Sequence, residues 1–270
     1  MGSPISRRAL LRRGAGGVLA VGVVAAGAGP LGHRLFPGDR ETPGPVPDAA
    51  VGDERVDPRR SAARGRTVDF YTAVPAGHGD GRGLPVCIIL HGASATAADY
   101  PGFGFGRFLT DAVIRGAAPF VLAGADGGPS GWEAAGTDNP ARMVHDELPR
   151  WCAERGFDTE RTVAWGWSAG GYGVLRLGET YPGFVRAIAA FSPAVSPGDR
   201  VFDATDALRG TRIGLWCGRQ DPFYDNVVRL AEALPEPPHA GGYADGRHTR
   251  RYWNRVTPAA FDFLAGALAG

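Results

Sequence analysis

At 270 residues the chain is long enough for one domain with a substantial core, or for two small ones. With 44% hydrophobic and 21% charged residues it reads as globular, and a formal net charge of +1 gives no electrostatic reason to bind nucleic acid or a strongly acidic substrate. All of its basic residues are arginines, scattered rather than clustered, so codon usage in a GC-rich genome explains them better than anion recognition does.

The N-terminal Ser6-Arg7-Arg8-Ala9-Leu10-Leu11-Arg12-Arg13 runs into a weakly hydrophobic Gly/Ala/Val stretch from Gly14 to Gly29. A basic region ahead of an apolar one is a secretory signal, and Arg7-Arg8 followed by Leu10-Leu11 resembles the twin-arginine type of bacteria. About 16 Gly-rich residues are short for a membrane span, which needs about 20 strongly apolar ones. Residues 1–35 are therefore expected to direct export to the extracellular space or cell envelope. Ala26-Gly27-Ala28 offers a cleavage site; left uncut, the segment would tether the chain to the membrane. Residues 36–64 are rich in Pro, Gly, Asp, Glu and Arg without apolar period, which predicts a disordered linker. Residues 65–270 are expected to fold as one domain, with nothing in the sequence calling for more than a monomer.

Beyond Gly65, short apolar runs alternate with amphipathic ones. Thr67 to Pro75 alternates like an edge strand and stops at a proline. Val86 to Gly92, Phe120 to Asp126, Thr162 to Ser168, Ala187 to Pro193 and Ile213 to Gly218 are continuous apolar runs of the buried parallel kind. Helical spacing covers Phe105 to Arg115, Arg142 to Arg155, Ala169 to Thr180 and Tyr224 to Leu234, with a closing helix predicted from Pro258 to Leu268. This alternation predicts an α/β fold: a mostly parallel sheet, helices on both faces, and functional loops at the carboxyl ends of the strands. His91-Gly92, Asp126, Ser168, Ser192, Asp221 and His248 all emerge at or shortly after such ends. The cysteines, Cys87, Cys152 and Cys217, are odd in number and lack metal-ligand spacing. Cys87 and Cys217 fall inside strand runs, where Cys serves as a small apolar residue, and the spacing selects no disulfide pair. No metal or organic cofactor is indicated.

Gly166-Trp167-Ser168-Ala169-Gly170 is a GxSxG motif, cheap by itself in a chain with 42 glycines. Its context gives it weight: an apolar strand delivers Ser168 and a helix begins directly behind it. Glycines on either side allow strand and helix to approach closely, and free amides at the helix start favour developing negative charge. A serine hydroxyl needs a base oriented by an acid. The chain order Ser, acid, His selects His248, with His239 as runner-up. Asp221, three residues past a glycine and just before Pro222, is the expected acid; Asp225 is expected to cap the next helix. The backbone N–H of Ala169 is one expected oxyanion donor, and Ala93 or Gly92, in the loop after Leu90, supplies the other. His91 is then a support for that loop rather than a second base.

Several segments together resemble one family. They are Leu90 to Gly92, Asp126 to Trp132, His145 to Trp151, Gly166 to Leu177, Tyr181 to Pro193, Gly218 to Asp221, and His248 to Trp253. From Thr67 to Leu268 the chain is similar to the esterase D-like branch of the α/β-hydrolases, which includes mycolyltransferases and feruloyl esterases. The resemblance implies an α/β-hydrolase fold without a lid domain, the Ser168, Asp221, His248 triad, and Trp132 lining the pocket. Trp132 and Trp167 serve equally well as an apolar wall for an acyl or aromatic group or as core. The expected function is an exported serine esterase that hydrolyses small-molecule, lipid or sugar esters through an acyl-serine intermediate. Acyl transfer of the mycolyltransferase type at the cell envelope shares the chemistry up to the acyl-enzyme, and a binding protein on a hydrolase scaffold shares the fold.

Overall fold

The computed structural model describes residues 44–128 and 131–269. The export signal expected over 1–35 and the start of the expected linker lie outside these residues. The strands are β1 (Val51–Ser61), β2 (Arg66–Pro75), β3 (Pro85–Leu90), β4 (Val121–Ala125), β5 (Asp158–Trp167), β6 (Ala187–Phe191), β7 (Arg212–Gly218) and β8 (Ala240–Ala244). They form one eight-stranded sheet in the order β1-β2-β4-β3-β5-β6-β7-β8. β2 runs antiparallel to β1 and β4, and every other neighbouring pair is parallel. The helices are α1 (Phe105–Ile114), α2 (Leu148–Glu154), α3 (Ala169–Thr180), α4 (Tyr224–Ala233) and α5 (Arg250–Ala269).

The continuous apolar runs become interior strands because both sheet faces are covered. Alternate residues such as Ile88, Leu90 and Ala190 join Leu148, Val174 and Val227 of α2, α3 and α4 on one face. Their neighbours Ile89, Trp165, Trp167 and Phe191 join Phe105, Phe261 and Leu264 of α1 and α5 on the other. There Trp165 meets Phe105, Phe191 and Phe261 edge-on at centroid distances of 4.7, 5.6 and 5.0 Å. Each such pair adds about 0.5–1.5 kcal/mol beyond simple burial.

Two expectations need correction. The segment read as disordered linker over 36–64 contains β1, paired with β2 from Val51↔Pro75 to Ser61↔Arg66. Its charges disguised it, yet most are used: Asp53 holds Arg55 and Arg155, Arg59 holds Glu154, and Glu54 accepts a hydrogen bond from Tyr71 at 2.7 Å. Pro58 is tolerable because β1 is an edge strand, and β2, read as an edge, lies inside it. The closing helix begins at Arg250 rather than Pro258, which sits within it. The cap is Thr249, whose Oγ1 accepts from the Tyr252 N–H at 3.4 Å. The helix expected over Arg142 to Arg155 is present with a π-type turn at Met143–Glu147 ahead of α2. All three cysteines are buried and free.

Candidate active site

Ser168 joins β5 to α3 in an unusual conformation, φ 56° and ψ −123°. Such strain costs about 1–3 kcal/mol and persists only where neighbours enforce it. Here the Ser168 N–H donates to Phe191 O at 2.9 Å, and its carbonyl accepts from Tyr172 and Ala194, both at 3.0 Å. The motif glycines are steric necessities. A Cβ on Gly166 would stand 2.3 Å from Gly170 O, and one on Gly170 would stand 1.9 Å from Leu90 O. Only because α3 backs directly onto β3 and β5 does the Ser168 side chain reach the rim.

Three of the expected residues meet there. Ser168 Oγ lies 2.8 Å from His248 Nε2, and His248 Nδ1 lies 2.9 Å from Asp221 Oδ2. The other Asp221 oxygen accepts from the Phe223 N–H at 2.9 Å. A carboxylate only accepts, so Nδ1 carries the imidazole proton and Nε2 is left as an acceptor for the serine hydroxyl. The Asp221 side chain is fully buried and that of His248 nearly so, which strengthens both contacts relative to water. The imidazole is flanked edge-on by Phe223 at 5.2 Å and Trp253 at 5.0 Å.

The loop after β3 approaches the same place. A Cβ on Gly92 would lie 3.2 Å from Ser168 Cβ. His91 is buried and bridges two loops: Nε2 accepts from the Gly127 N–H at 2.8 Å, and Nδ1 sits 2.8 Å from Gly92 O. Since Nε2 accepts, Nδ1 bears the proton and donates to that carbonyl. Burial pushes the His91 pKa below its ordinary 6.5, against the Gly92 carbonyl and Asp126, which pull upward. His91 is therefore a neutral strut, as expected. Ala93 is exposed beyond it, and Ala169 opens α3, where an N–H has no carbonyl one turn back to serve.

The remaining sequence candidates fall elsewhere. His239 pairs with Ile213 near the start of β7, at the opposite rim. Asp225 is exposed in the first turn of α4. Asp126 staples loops by accepting from the N–H groups of Asp69 and Ala97. The pocket-wall role suggested for Trp132 and Trp167 gives way to core. Trp132 is 4% exposed, donates to His91 O at 3.0 Å, and fills the space that a Cβ on Gly127 or Gly173 would occupy. Trp167 is wholly buried among Tyr100, Phe103 and Phe105. Sequence reasoning placed Ser192 at the rim without a role and overlooked Phe223 and Trp253, whose rings pack on His248. The misplaced start of α5 concealed the last of these, since only a helix running from Arg250 turns position 253 back toward 248.

A mostly parallel sheet with this strand order, and a strained serine between strand and helix at its rim, define an α/β-hydrolase. Among solved structures, a ferulic acid esterase aligns with 17% identity over 81% of this chain and 100% of its own, at a TM-score of 0.72. An S-formylglutathione hydrolase from Staphylococcus aureus aligns with 14% identity over 79% of this chain and 98% of its own, at 0.65. MPT51 (FbpC1) of Mycobacterium tuberculosis aligns with 15% identity over 80% of this chain and 99% of its own, at 0.60. No curated protein matches the sequence. Residues 61–236, more than half of the chain, match the model of the family described as "Putative esterase", and the chain belongs to that family of carboxylic ester hydrolases. The matched span contains Ser168 and Asp221 and ends before His248.

Proposed function

We propose that the protein is an exported serine esterase that cleaves small carboxylic esters through an acyl-Ser168 intermediate. The observation that carries this reading is the continuous hydrogen-bonded line from Ser168 Oγ through His248 to Asp221. As Oγ attacks the ester carbonyl, His248 Nε2 takes the hydroxyl proton, and buried Asp221 stabilises the imidazolium through Nδ1–H. His248 then hands the proton to the departing alcohol. Water enters, loses a proton to the same nitrogen, and releases the acid and Ser168.

The oxyanion requires two donors. Ala169 N–H, at the positive end of α3, is one. The second follows from a planar trans peptide: a carbonyl and the next N–H point in opposite directions. The Gly92 carbonyl is held by His91 Nδ1–H at 2.8 Å and by the Ala95 N–H at 3.1 Å. That aims the Ala93 N–H away from His91, and of the two expected donors we choose Ala93.

The test is labelling by a fluorophosphonate probe together with hydrolysis of p-nitrophenyl acetate and butyrate. Ser168→Ala should abolish both in a protein that remains folded. Turnover persisting unchanged in that variant refutes the assignment. The leader is tested separately by expressing the full chain in a bacterial host with and without its twin arginines. Equal export of both forms refutes that part.

A further inference from the structure

Ser192, directly after β6, has φ 43°, one of few non-glycine residues at positive φ among the described residues. Glycine adopts that conformation more readily. What serine adds is a fully buried hydroxyl, and its oxygen accepts from Trp253 Nε1–H at 3.1 Å. The Cys217 thiol lies within hydrogen-bonding reach of the same hydroxyl. Its backbone is fixed as well, with the Ser192 N–H donating to Trp216 O at 2.7 Å. Trp253 is buried in the first turns of α5 and stands 86° to the His248 ring at 5.0 Å, and Phe223 contacts the same ring at 5.2 Å.

Hydrogen bonds to Asp221 and Ser168 constrain the two nitrogens of His248, but an imidazole so held can still tilt about the line joining them. Two rings packed against the imidazole restrict that freedom. Phe223 is fixed by its own N–H bond to Asp221. The corresponding anchor for Trp253 is Ser192, on the strand that lies between those bearing the other two members of the site.

We propose that Trp253, moored to the Ser192 hydroxyl, is a positioning residue that sets the ring orientation of His248 for proton transfer; the inference rests on the Ser168–His248–Asp221 reading above. Ser192 and Trp253 are both buried, out of reach of a molecule in solvent, so the effect should fall on kcat and not on binding.

Ser192→Gly removes the hydroxyl while relieving the backbone, and Trp253→Phe keeps a ring but loses the donor. In the full chain, each should lower kcat for p-nitrophenyl acetate by about 10-fold with KM unchanged, the scale expected for misorienting a reacting group. Ser192→Gly strands the buried Trp253 N–H, about 1–3 kcal/mol that the relieved backbone offsets in part, so the variant should still be folded at the assay temperature. The double variant should be no slower than either single, because both break one link. Wild-type kcat in both variants, a change confined to KM, additive losses, or a loss that tracks unfolding by circular dichroism overturns the proposal. Fluorophosphonate labelling of wild type and Ser168→Ala, run alongside, separates the two failures. A wild type that does not label defeats the esterase reading itself, whereas labelled wild type with fully active Ser192→Gly and Trp253→Phe defeats only this inference.

Discussion

His91 offers a substitution pair that separates a catalytic strut from a merely buried side chain. His91→Asn places an amide N–H near Nδ1 and retains the bond to Gly92 O. His91→Gln places its polar end near Nε2 and retains an acceptor for the Gly127 N–H. His91→Asn strands the buried Gly127 N–H, at about 1–3 kcal/mol, whereas in His91→Gln the Gly92 carbonyl still accepts from the Ala95 N–H, so Asn should lose the more stability in urea. Turnover should diverge. Gln frees the Gly92 carbonyl from one of its two donors and lets the Ala93 N–H drift from the oxyanion position. Complete loss of such a donor costs about 10²–10³ in kcat, and a released donor should cost about 10–10². Asn should stay close to wild type. The assay is kcat on p-nitrophenyl acetate beside urea melts at one pH. Gln with wild-type turnover, or Asn as impaired as Gln, refutes the reasoning. Acid provides a second readout. The folded pKa of His91 lies below 6.5, so the unfolded chain binds the proton more readily, and the stability contributed by neutral His91 drains away as pH falls from 6.5 toward the folded value. That slope should vanish in His91→Asn.

Asp221→Asn should leave the melting temperature nearly unchanged and lower kcat by up to about 10⁴-fold. With its oxygen on the Phe223 N–H, the new amide points N–H at His248 Nδ1 and drives the ring proton to Nε2, which can then no longer accept from Ser168. Gly170→Ala should lose more than about 3 kcal/mol of stability in denaturant titration, because the added Cβ meets β3 backbone atoms at 1.9–2.6 Å and no side chain can yield; a well-folded, active Gly170→Ala protein would contradict the close approach. Glu179, behind the site on α3, has its carboxyl pushed up to about 7 by burial despite its bond to Arg176. The native state therefore holds a proton that the unfolded state releases above about 4.5, and that stabilisation is lost as pH rises toward 7. Glu179→Gln should flatten this loss, gaining up to about 3 kcal/mol at pH 8 in melts; parallel pH profiles would refute it.

The interior strands were readable because two covered faces demand unbroken apolar runs, and a run such as Val86 to Leu90 has no other use. The start of α3 was readable for the same local reason, glycines bracketing Ser168 between strand and helix. β1 was not, since an edge strand can carry charges that are satisfied across the sheet, and a single sequence cannot show that Asp53 finds Arg155 or that Arg59 finds Glu154. Trp132 failed for a related reason. Its place in a rim loop suggested a ligand wall, but its backbone turns through φ 73° and directs the indole onto His91.

The proposed triad depends on spacing that sequence order does not contain. Ser168 follows β5 and Asp221 follows β7, with β6 between them, so the two are separated by about two strand spacings, near 10 Å. The Ser168 and Asp221 side chains close part of that gap, and the imidazole with its contacts of 2.8 and 2.9 Å bridges the rest. His248 comes to that position from beyond β8, on the loop leading into α5. Ser192, directly after β6, holds the Trp253 indole that packs on the His248 ring, so a bulky side chain there would displace that indole. Ser192 is short and fully buried, and so leaves room for the indole that its hydroxyl holds. The same strand order that sets how far apart Ser168 and Asp221 stand also places Ser192 between them. For this reason Ser192→Leu should be more damaging to kcat than Ser192→Gly, even though leucine would add apolar surface to the core.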